Sequence, residues 1–205
     1  MSSDRAKRAF DAVVAALALL ILSPVFAIVA IALKLDSRGP LFFTQERIGR
    51  GGRPFRMIKF RTMVTDGEQL GPNVSATRDP RITRVGALLR RCFVDEAPQL
   101  INVLRGDMSL VGPRPETPEY VALLSPEERR VLSVRPGMAG PSTLSYSREE
   151  PELLARQADP DRYYREHLLH MRVAADLAYL ERPVLSEDVR ILARTALFVL
   201  AGLRR

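Results

Sequence analysis

The segment from Ala12 to Leu33 limits what this chain can fold into more than any other feature. It runs for about 22 residues without a charged side chain, which is the length that an α-helix needs to cross the hydrocarbon core of a bilayer. Ser23 and Pro24 stand in the middle of the segment, and proline lacks the N–H that a helix interior requires. The segment therefore predicts a membrane element that is broken or kinked at this point.

Basic residues flank the apolar segment on both sides: Arg5, Lys7 and Arg8 before it, and Lys34, Arg38 and Arg47 after it. Because Lys and Arg are enriched on the cytoplasmic side of membrane helices, neither flank is an obvious external end. A re-entrant hairpin keeps both flanks on one face, and the Ser23 hydroxyl can bond a carbonyl that the proline leaves free. A spanning helix and a cleaved signal peptide are the alternatives, although the sequence after Leu33 does not resemble a small-residue cleavage site.

Length and charge indicate what accompanies this element. The 205 residues allow one domain of ordinary size, so we predict an anchor over residues 1–35 and a single domain over residues 36–205. A net charge of +7 favours polyanionic partners, and beside a membrane element anionic lipid and phosphorylated substrates rank above nucleic acid. Cys92 is the only cysteine, which excludes an intrachain disulfide and a cysteine-based zinc site.

The remaining pattern predicts an α+β chain that is mostly helical. Residues 41–49 and 55–63 read as the strands of a small β-hairpin with a glycine-rich turn, and residues 64–77 read as a loop. A helix from Val85 ends near Val94, and a second helix begins at Asp95–Glu96 and ends at Gly106. The last helix, from Ser186, is too short and too charged to span, so its apolar stripe suits either the membrane interface or the domain core.

Asp95 and Glu96 are the main candidates for chemistry. At the predicted start of a helix, the helix dipole and the free N–H groups would keep Asp95 ionised and attract a phosphate. A carboxylate beside a phosphate is a nucleophile or a metal ligand, and Mg²⁺ and arginine relieve the repulsion between the two anions. The same spacing also fits two acids that only cap a helix. Five basic residues are candidates to bind the phosphate or the nucleotide: Lys59, Arg61, Arg81, Arg90 and Arg114.

Several motifs in succession resemble those of the bacterial sugar transferases, the monotopic phosphoglycosyl transferases that begin glycoconjugate assembly on a polyprenyl phosphate carrier. The motifs extend in order over residues 7–140. They are Lys7-Arg8-Ala9-Phe10-Asp11, Ser23-Pro24, Leu35-Asp36-Ser37-Arg38-Gly39-Pro40, Phe42-Phe43-Thr44-Gln45-Glu46-Arg47-Ile48-Gly49, Lys59-Phe60-Arg61-Thr62-Met63, Asp79-Pro80-Arg81-Ile82-Thr83, Asp95-Glu96-Ala97-Pro98-Gln99-Leu100-Ile101-Asn102-Val103-Leu104 and Gly106-Asp107-Met108-Ser109-Leu110-Val111-Gly112-Pro113-Arg114-Pro115.

The resemblance implies an enzyme that transfers a phosphosugar from a UDP-sugar to polyprenyl (undecaprenyl) phosphate. Asp95 is then the nucleophile, which forms a covalent phosphosugar intermediate and releases UMP. Glu96 is a metal ligand or a base, and a Mg²⁺ ion bridges the two carboxylates and the diphosphate. Lys59, Arg90 and Arg114 hold phosphate oxygens. This reading raises the catalytic interpretation of Asp95 above helix capping.

The resemblance also implies a helix-break-helix hairpin at Ser23–Pro24, on the cytoplasmic face of a bacterial inner membrane. The expected partners are UDP-sugar, polyprenyl phosphate and membrane lipids but no nucleic acid, and a homodimer stays open. The chain lacks the multi-helix extension of larger family members, which predicts a minimal catalytic form with interfacial amphipathic helices. The segment 141–150, which begins with Pro141-Ser142-Thr143-Leu144-Ser145-Tyr146, departs from the family pattern, so the sugar is left open. A membrane-anchored protein that binds lipids or anions and a phosphohydrolase that uses the same aspartate are the alternative functions.

Overall fold

The computed structural model describes residues 2–65, 79–181 and 185–203. The predicted loop over residues 64–77 lies almost wholly outside these ranges. The first element is a long helix, α1 (Ser2–Asp36), and among the described helices it is the one that is long and apolar enough to cross a membrane. The prediction of a mostly helical α+β chain is confirmed.

Helical structure continues through Ser23 and Pro24, so the predicted interruption between two helices is not resolved. Pro24 has no N–H to donate to the carbonyl four residues earlier, which belongs to Leu20. The Ser23 hydroxyl donates a hydrogen bond of 2.8 Å to that same Leu20 carbonyl. The prediction that Ser23 satisfies the carbonyl freed by the proline is confirmed, and this bond removes one reason for the helix to break.

Both ends of α1 bind to the rest of the protein. Near the start, Lys7 forms an ion pair of 2.6 Å with the last helix, and the Asp11 carboxylate accepts a hydrogen bond of 2.8 Å from Ser109. At the other end, Leu33 is fully buried, and the Asp36 carboxylate accepts the backbone N–H of Val85 at 3.2 Å. Polar contacts of this kind fix α1 to one domain at both of its termini.

The middle of α1 presents an apolar surface. Leu20, Ile21 and Ile28 are 72%, 72% and 67% exposed, respectively. The core helix of a water-soluble protein would bury such side chains, because a contiguous exposed apolar surface normally marks a protein or membrane interaction site.

The predicted β-hairpin is present. Strands β1 (Phe42–Ile48) and β2 (Pro54–Phe60) pair antiparallel, with Phe42 opposite Phe60 and Ile48 opposite Pro54. A tight turn joins them, and Gly51 and Gly52 have φ angles of 68° and 76°, a region that favours glycine. The hairpin packs on α1 through Phe60, whose ring lies 5.0 Å from the ring of Phe26.

Two helices follow the hairpin. Helix α2 (Arg84–Arg91) begins at Thr83, whose side chain accepts the N–H of Gly86, and ends earlier than predicted because Phe93 adopts a left-handed conformation with φ of 55°. Helix α3 (Gln99–Arg105) ends at Gly106 as predicted, with φ of 89°. Asn102 fastens α3 to β2, because its side chain accepts the N–H of Ile58 at 3.0 Å and donates to the Arg56 carbonyl at 2.8 Å.

The next segment forms a pair of short strands in a region that the sequence predicts only as loops. Strand β3 (Ser109–Val111) pairs in parallel with β4 (Gly137–Ala139). A side chain at Gly137 would lie within 2.1 Å of the Gly112 backbone nitrogen, so the close pairing of the two strands requires glycine there.

Further helices and turns complete the domain. They are α4 (Pro118–Ala122), a 3-10 turn at Glu128–Ser133, α5 (Pro141–Tyr146), α6 (Glu150–Ala155), α7 (Pro160–Tyr163), a π-helical turn at Tyr164–Leu168, α8 (Leu169–Leu180) and α9 (Leu185–Leu203).

The apolar stripe predicted for α9 is only partly buried. Of its members, Leu192 packs against the main core, whereas Val189 is half exposed. Outside the predicted stripe, Ile191 is buried in the main core and Leu197 is 67% exposed. The helix therefore packs on the domain and still presents apolar side chains outward.

Candidate active site

A cavity of about 530 Å³ opens between the hairpin, the turn before α3 and the helices after β4. All seven site residues that were predicted after α1 line this cavity: Lys59, Arg61, Arg81, Arg90, Asp95, Glu96 and Arg114. The fold thus brings together in one cavity residues that are up to 55 positions apart (114 − 59 = 55) in the sequence.

The two acids do not cap a helix, contrary to the prediction. They lie in a 3-10 turn (Val94–Glu96) that precedes α3, whose N-cap is Pro98 and has no side-chain cap bond. Pro98 already has helical backbone angles, with φ of −62°, so α3 begins beyond the acids. Phe93 is the residue that turns the chain into this 3-10 turn, and its ring packs at 5.1 Å against Phe198 of α9.

Asp95 and Glu96 have opposite electrostatic properties although they are neighbours. Burial and the negative charge of Glu96 raise the pKa of Asp95 to about 6. Burial would also raise the pKa of Glu96, but the charges of Lys59 and Arg114 outweigh it and lower this pKa to about 2. Glu96 is therefore ionised at neutral pH and compensated by cations. Asp95, by contrast, is a buried carboxylate that forms no ion pair with the described residues.

Lys59 and Arg114 bind Glu96 from two different parts of the chain. The Lys59 ammonium on β2 donates a hydrogen bond of 2.6 Å to Glu96 Oε1, and an Arg114 Nη2 atom lies 3.8 Å from the same oxygen. Burial lowers the pKa of Lys59, whereas the neighbouring carboxylates raise that of Arg114 in spite of its burial. The backbone N–H of Arg114 donates to Asp176 of α8 at 3.0 Å, which fixes the segment that carries this arginine.

The other three basic residues differ in what their side chains already bind. Arg90 of α2 donates from Nε to the Thr62 hydroxyl at 2.8 Å. Arg61 donates to the carbonyls of residues 33, 37 and 38 at the end of α1, so its guanidinium caps that helix. Arg81 binds Asp79 in a two-pronged pair, with the shortest distance 2.6 Å. Arg61 and Arg81 therefore contribute charge to the cavity wall while binding protein groups.

A second group of charged residues, which the sequence did not predict, also lines the cavity. Arg47 is buried and bonds the Pro115 carbonyl at 3.1 Å and Glu116 at 3.4 Å. Glu116 also accepts the Tyr164 hydroxyl at 2.8 Å. Both charged residues lie within or directly beside recognisable motifs, Arg47 in the first hairpin strand and Glu116 immediately after Arg114-Pro115. Their place in or beside those motifs was the signal that could have identified them.

The donor set fits a magnesium ion. Mg²⁺ is usually held by one or two carboxylates together with water and substrate phosphates rather than by a complete protein cage. Asp95 and Glu96 offer two adjacent carboxylates in the cavity, and within the described ranges no cluster of three or more metal-ligating side chains occurs. The arrangement suits an ion that arrives with a phosphorylated ligand.

Comparison with known proteins agrees with this geometry. The model of the family described as "Bacterial sugar transferase" matches residues 2–202. The UDP-glucose:undecaprenyl-phosphate glucose-1-phosphate transferase of Caulobacter vibrioides is 40% identical over 197 residues, which are 94% of this chain and 68% of that protein. The exopolysaccharide production protein PSS of Rhizobium leguminosarum is 39% identical over 196 residues, with 92% of each chain covered.

A third relative is similar over the same part of the chain but is longer. The UDP-N-acetylgalactosamine-undecaprenyl-phosphate N-acetylgalactosaminephosphotransferase of Aeromonas hydrophila is 37% identical over 199 residues, which cover 96% of this chain and 44% of that protein. Two of these relatives are named for different sugars, glucose and N-acetylgalactosamine, while the matched region is nearly the whole of this chain. The protein belongs to the bacterial sugar transferase family.

Proposed function

We propose that the protein transfers a phosphosugar from a UDP-sugar to undecaprenyl phosphate, and so begins the synthesis of an exopolysaccharide or a related glycoconjugate. One observation carries the proposal: Asp95 is a buried carboxylate that forms no ion pair with the described residues, in a cavity that Lys59, Arg90 and Arg114 also line. The relatives named for this reaction support the same assignment.

The geometry suits a double displacement with Asp95 as the nucleophile. In the first step a carboxylate oxygen of Asp95 attacks the phosphorus linked to the sugar, the bond to the UMP phosphate oxygen breaks, and UMP leaves with that electron pair. In the second step an oxygen of undecaprenyl phosphate attacks the aspartyl-linked phosphorus, which restores the Asp95 carboxylate. The carboxylate must be ionised to attack, and with a pKa of about 6 it is mostly ionised at neutral pH.

Cations around Asp95 reduce the repulsion between two anions. Lys59 and Arg114 compensate Glu96, and Arg90 lies on the same cavity wall as Asp95. Positive groups held in place before the substrate binds stabilise the charge that develops on phosphate oxygens. Asp95 and Glu96 would hold Mg²⁺, which when bound neutralises diphosphate charge and assists departure of UMP.

We further propose that α1 enters and leaves the membrane on its cytoplasmic face rather than crossing it. Both of its termini bind the same domain, through Lys7 and Asp11 at one end and Asp36 at the other, and this supports the re-entrant arrangement. Single cysteines at Ser3 and Ser37 in a Cys92→Ser background should both escape labelling by an impermeant reagent in intact cells, and both should be labelled after the cells are opened. Labelling of only one of the two would exclude the hairpin.

The test of the reaction uses purified protein with Mg²⁺, undecaprenyl phosphate and a panel of UDP-sugars, and measures UMP release. We expect Asp95→Asn to reduce UMP release by about 10³-fold or more, because the amide cannot act as the nucleophile. Glu46→Gln is the matched control, since Glu46 is an exposed acid on β1 outside the cavity wall. Retained turnover in Asp95→Asn would contradict the proposed nucleophile.

Product analysis separates this function from the alternatives. A transferase yields a lipid-linked diphosphate sugar, whereas a phosphohydrolase yields a free sugar phosphate. A protein that only binds lipid would leave the UDP-sugar intact.

A further inference from the structure

Arg172 of α8 is an unusual residue behind the wall of the main cavity. Its side chain is 2% exposed, and it donates from Nη1 to the Glu150 carboxylate of α6. Within the described part of the chain, its Nε and Nη2 atoms are buried without a hydrogen-bond partner. Burying a guanidinium costs several kcal/mol unless its pairing is complete, so this arrangement is not explained by stability.

Glu150 is the member of this pair that faces the cavity. Glu150 lines the cavity together with Thr143 and Ser147, while Arg172 is not among its described lining residues. The side chain of Glu150 is 19% exposed, so one of its oxygens can be reached from the cavity. Arg172 therefore holds from behind a carboxylate that is presented to the cavity.

Glu116 and Glu150, which both line the cavity, differ in how many of their carboxylate oxygens accept a hydrogen bond. In Glu116 both oxygens are occupied, Oε1 by the Tyr164 hydroxyl and Oε2 by Arg47. In Glu150, Oε2 accepts from Arg172, and Oε1 has no hydrogen-bond partner among the described residues. A fixed carboxylate oxygen with nothing bound is an acceptor for a donor on a ligand.

The chemistry of this acceptor selects the ligand group. A carboxylate repels phosphate, which is drawn instead to the cations near Asp95. It accepts hydrogen bonds from hydroxyl groups, and the side chains of Ser147 and Thr143 on the same wall add further hydroxyls. This wall therefore suits the part of a ligand that carries hydroxyls and no charge.

We propose that Glu150, held in place by Arg172, binds a hydroxyl pair of the nucleotide sugar and contributes to its selection. The proposal rests on the function proposed above, because it needs a UDP-sugar in the cavity. It gives a role to the end of the segment 141–150, where the sequence departs from the common family pattern. The hydroxyls belong either to the transferred sugar or to the ribose, and the experiment distinguishes these two sources.

The experiment compares Glu150→Gln with wild type in steady-state UMP release from a panel of UDP-sugars, in the presence of Mg²⁺ and undecaprenyl phosphate. The amide keeps the shape but is a weaker acceptor, so we expect the KM for the best UDP-sugar to rise about 10- to 100-fold with a smaller change in kcat. Glu152→Gln is the matched control, because Glu152 is an exposed acid on the same helix. Its KM should equal that of wild type.

Inhibition by UMP, which carries the ribose hydroxyls but no sugar, separates the two sources. An unchanged inhibition constant with a raised KM assigns Glu150 to the sugar, and an equal rise in both assigns it to the ribose. An unchanged KM in Glu150→Gln would overturn the proposal. Absence of UMP release by wild type would instead contradict the proposed function itself.

A second variant separates recognition from folding. Glu150→Gln leaves Arg172 without its carboxylate partner, and this alone can lower stability. The double variant Glu150→Gln, Arg172→Met removes both charges and should recover the thermal stability while it keeps the raised KM. A double variant with the wild-type KM would also overturn the proposal.

Discussion

Two parts of the cavity wall differ in how their carboxylates are paired. The Asp95 wall carries Asp95 and Glu96, and the second wall carries Glu116 and Glu150. On the Asp95 wall, cations bind Glu96 and leave Asp95 without an ion pair. On the second wall, Glu116 and Glu150 are each paired with a buried arginine. The first arrangement leaves one carboxylate without an ion pair among the described residues, while the second pairs both of its carboxylates with arginine. In the two proposals made above, the first wall reacts with a phosphate and the second binds neutral polar groups.

The largest expected effect concerns the second wall, where Glu116 is paired with Arg47. Arg47→Met removes the ion pair of the buried Glu116 carboxylate and leaves the Tyr164 hydroxyl as its hydrogen-bond partner among the described residues, so we expect a loss of about 3–5 kcal/mol in the free energy of unfolding. Thermal or urea unfolding of the detergent-solubilised protein measures it. Glu46→Gln on the same strand should change this free energy by less than about 0.5 kcal/mol. If the two variants are equally stable, the Arg47–Glu116 pair is not a structural element of this wall.

The next effect concerns the Asp95 wall. Lys59→Met removes the 2.6 Å contact to Glu96 and a positive charge close to Asp95, and we expect UMP release to fall about 100-fold. Lys59→Arg retains the charge with a different shape and should lose less. A rate within threefold of wild type in Lys59→Met would show that Arg114 and Arg90 suffice to compensate the negative charges of Asp95 and Glu96.

The smallest effect is a change in stability that depends on pH. Asp95 has a pKa of about 6 in the folded protein against 3.8 for a free side chain, so the folded state binds the proton more tightly. Stability therefore decreases as the pH rises from about 4 to 6 and remains lower above that range. Asn cannot ionise, so Asp95→Asn should raise the free energy of unfolding by roughly 2 kcal/mol at pH 8 and leave it unchanged near pH 3.5.

Unfolding curves at the two pH values measure this difference. An equal effect of the substitution at both pH values would show that burial of the ionised carboxylate is not its cause. The same titration should reduce UMP release as the pH falls through about 6, because protonated Asp95 cannot attack.

The sequence predicted the wall around Asp95 far better than the second wall. Asp95, Glu96 and the five basic residues stand in motifs that can be read one at a time, and the cavity contains them all. The pairing of Arg172 with Glu150 joins residues on separate helices, and in the sequence both look like ordinary charges of solvated helices. Local sequence patterns do not reveal such a pair. The pair is recognised by its burial, and burial depends on tertiary packing.

Errors in the predicted fold have local physical reasons. The predicted cap at Asp95 was wrong because Pro98, with φ fixed near the helical value, begins α3 beyond the acids. The parallel pair of β3 and β4 was missed because each strand is three residues long and is bordered by glycine and proline. Strands that short carry no alternation for a pattern to detect.

The contacts of α1 also determine when the protein can finish folding during its synthesis. Asp11 binds Ser109, and Lys7 binds Asp188, partners that lie 98 and 181 residues further along the chain. The helix leaves the ribosome before the domain that binds it, so Asp11 and Lys7 must wait in or near the lipid without these partners. Interrupted translation before Ser109 should therefore yield a chain whose N-terminal helix has reached the membrane but lacks both of these contacts.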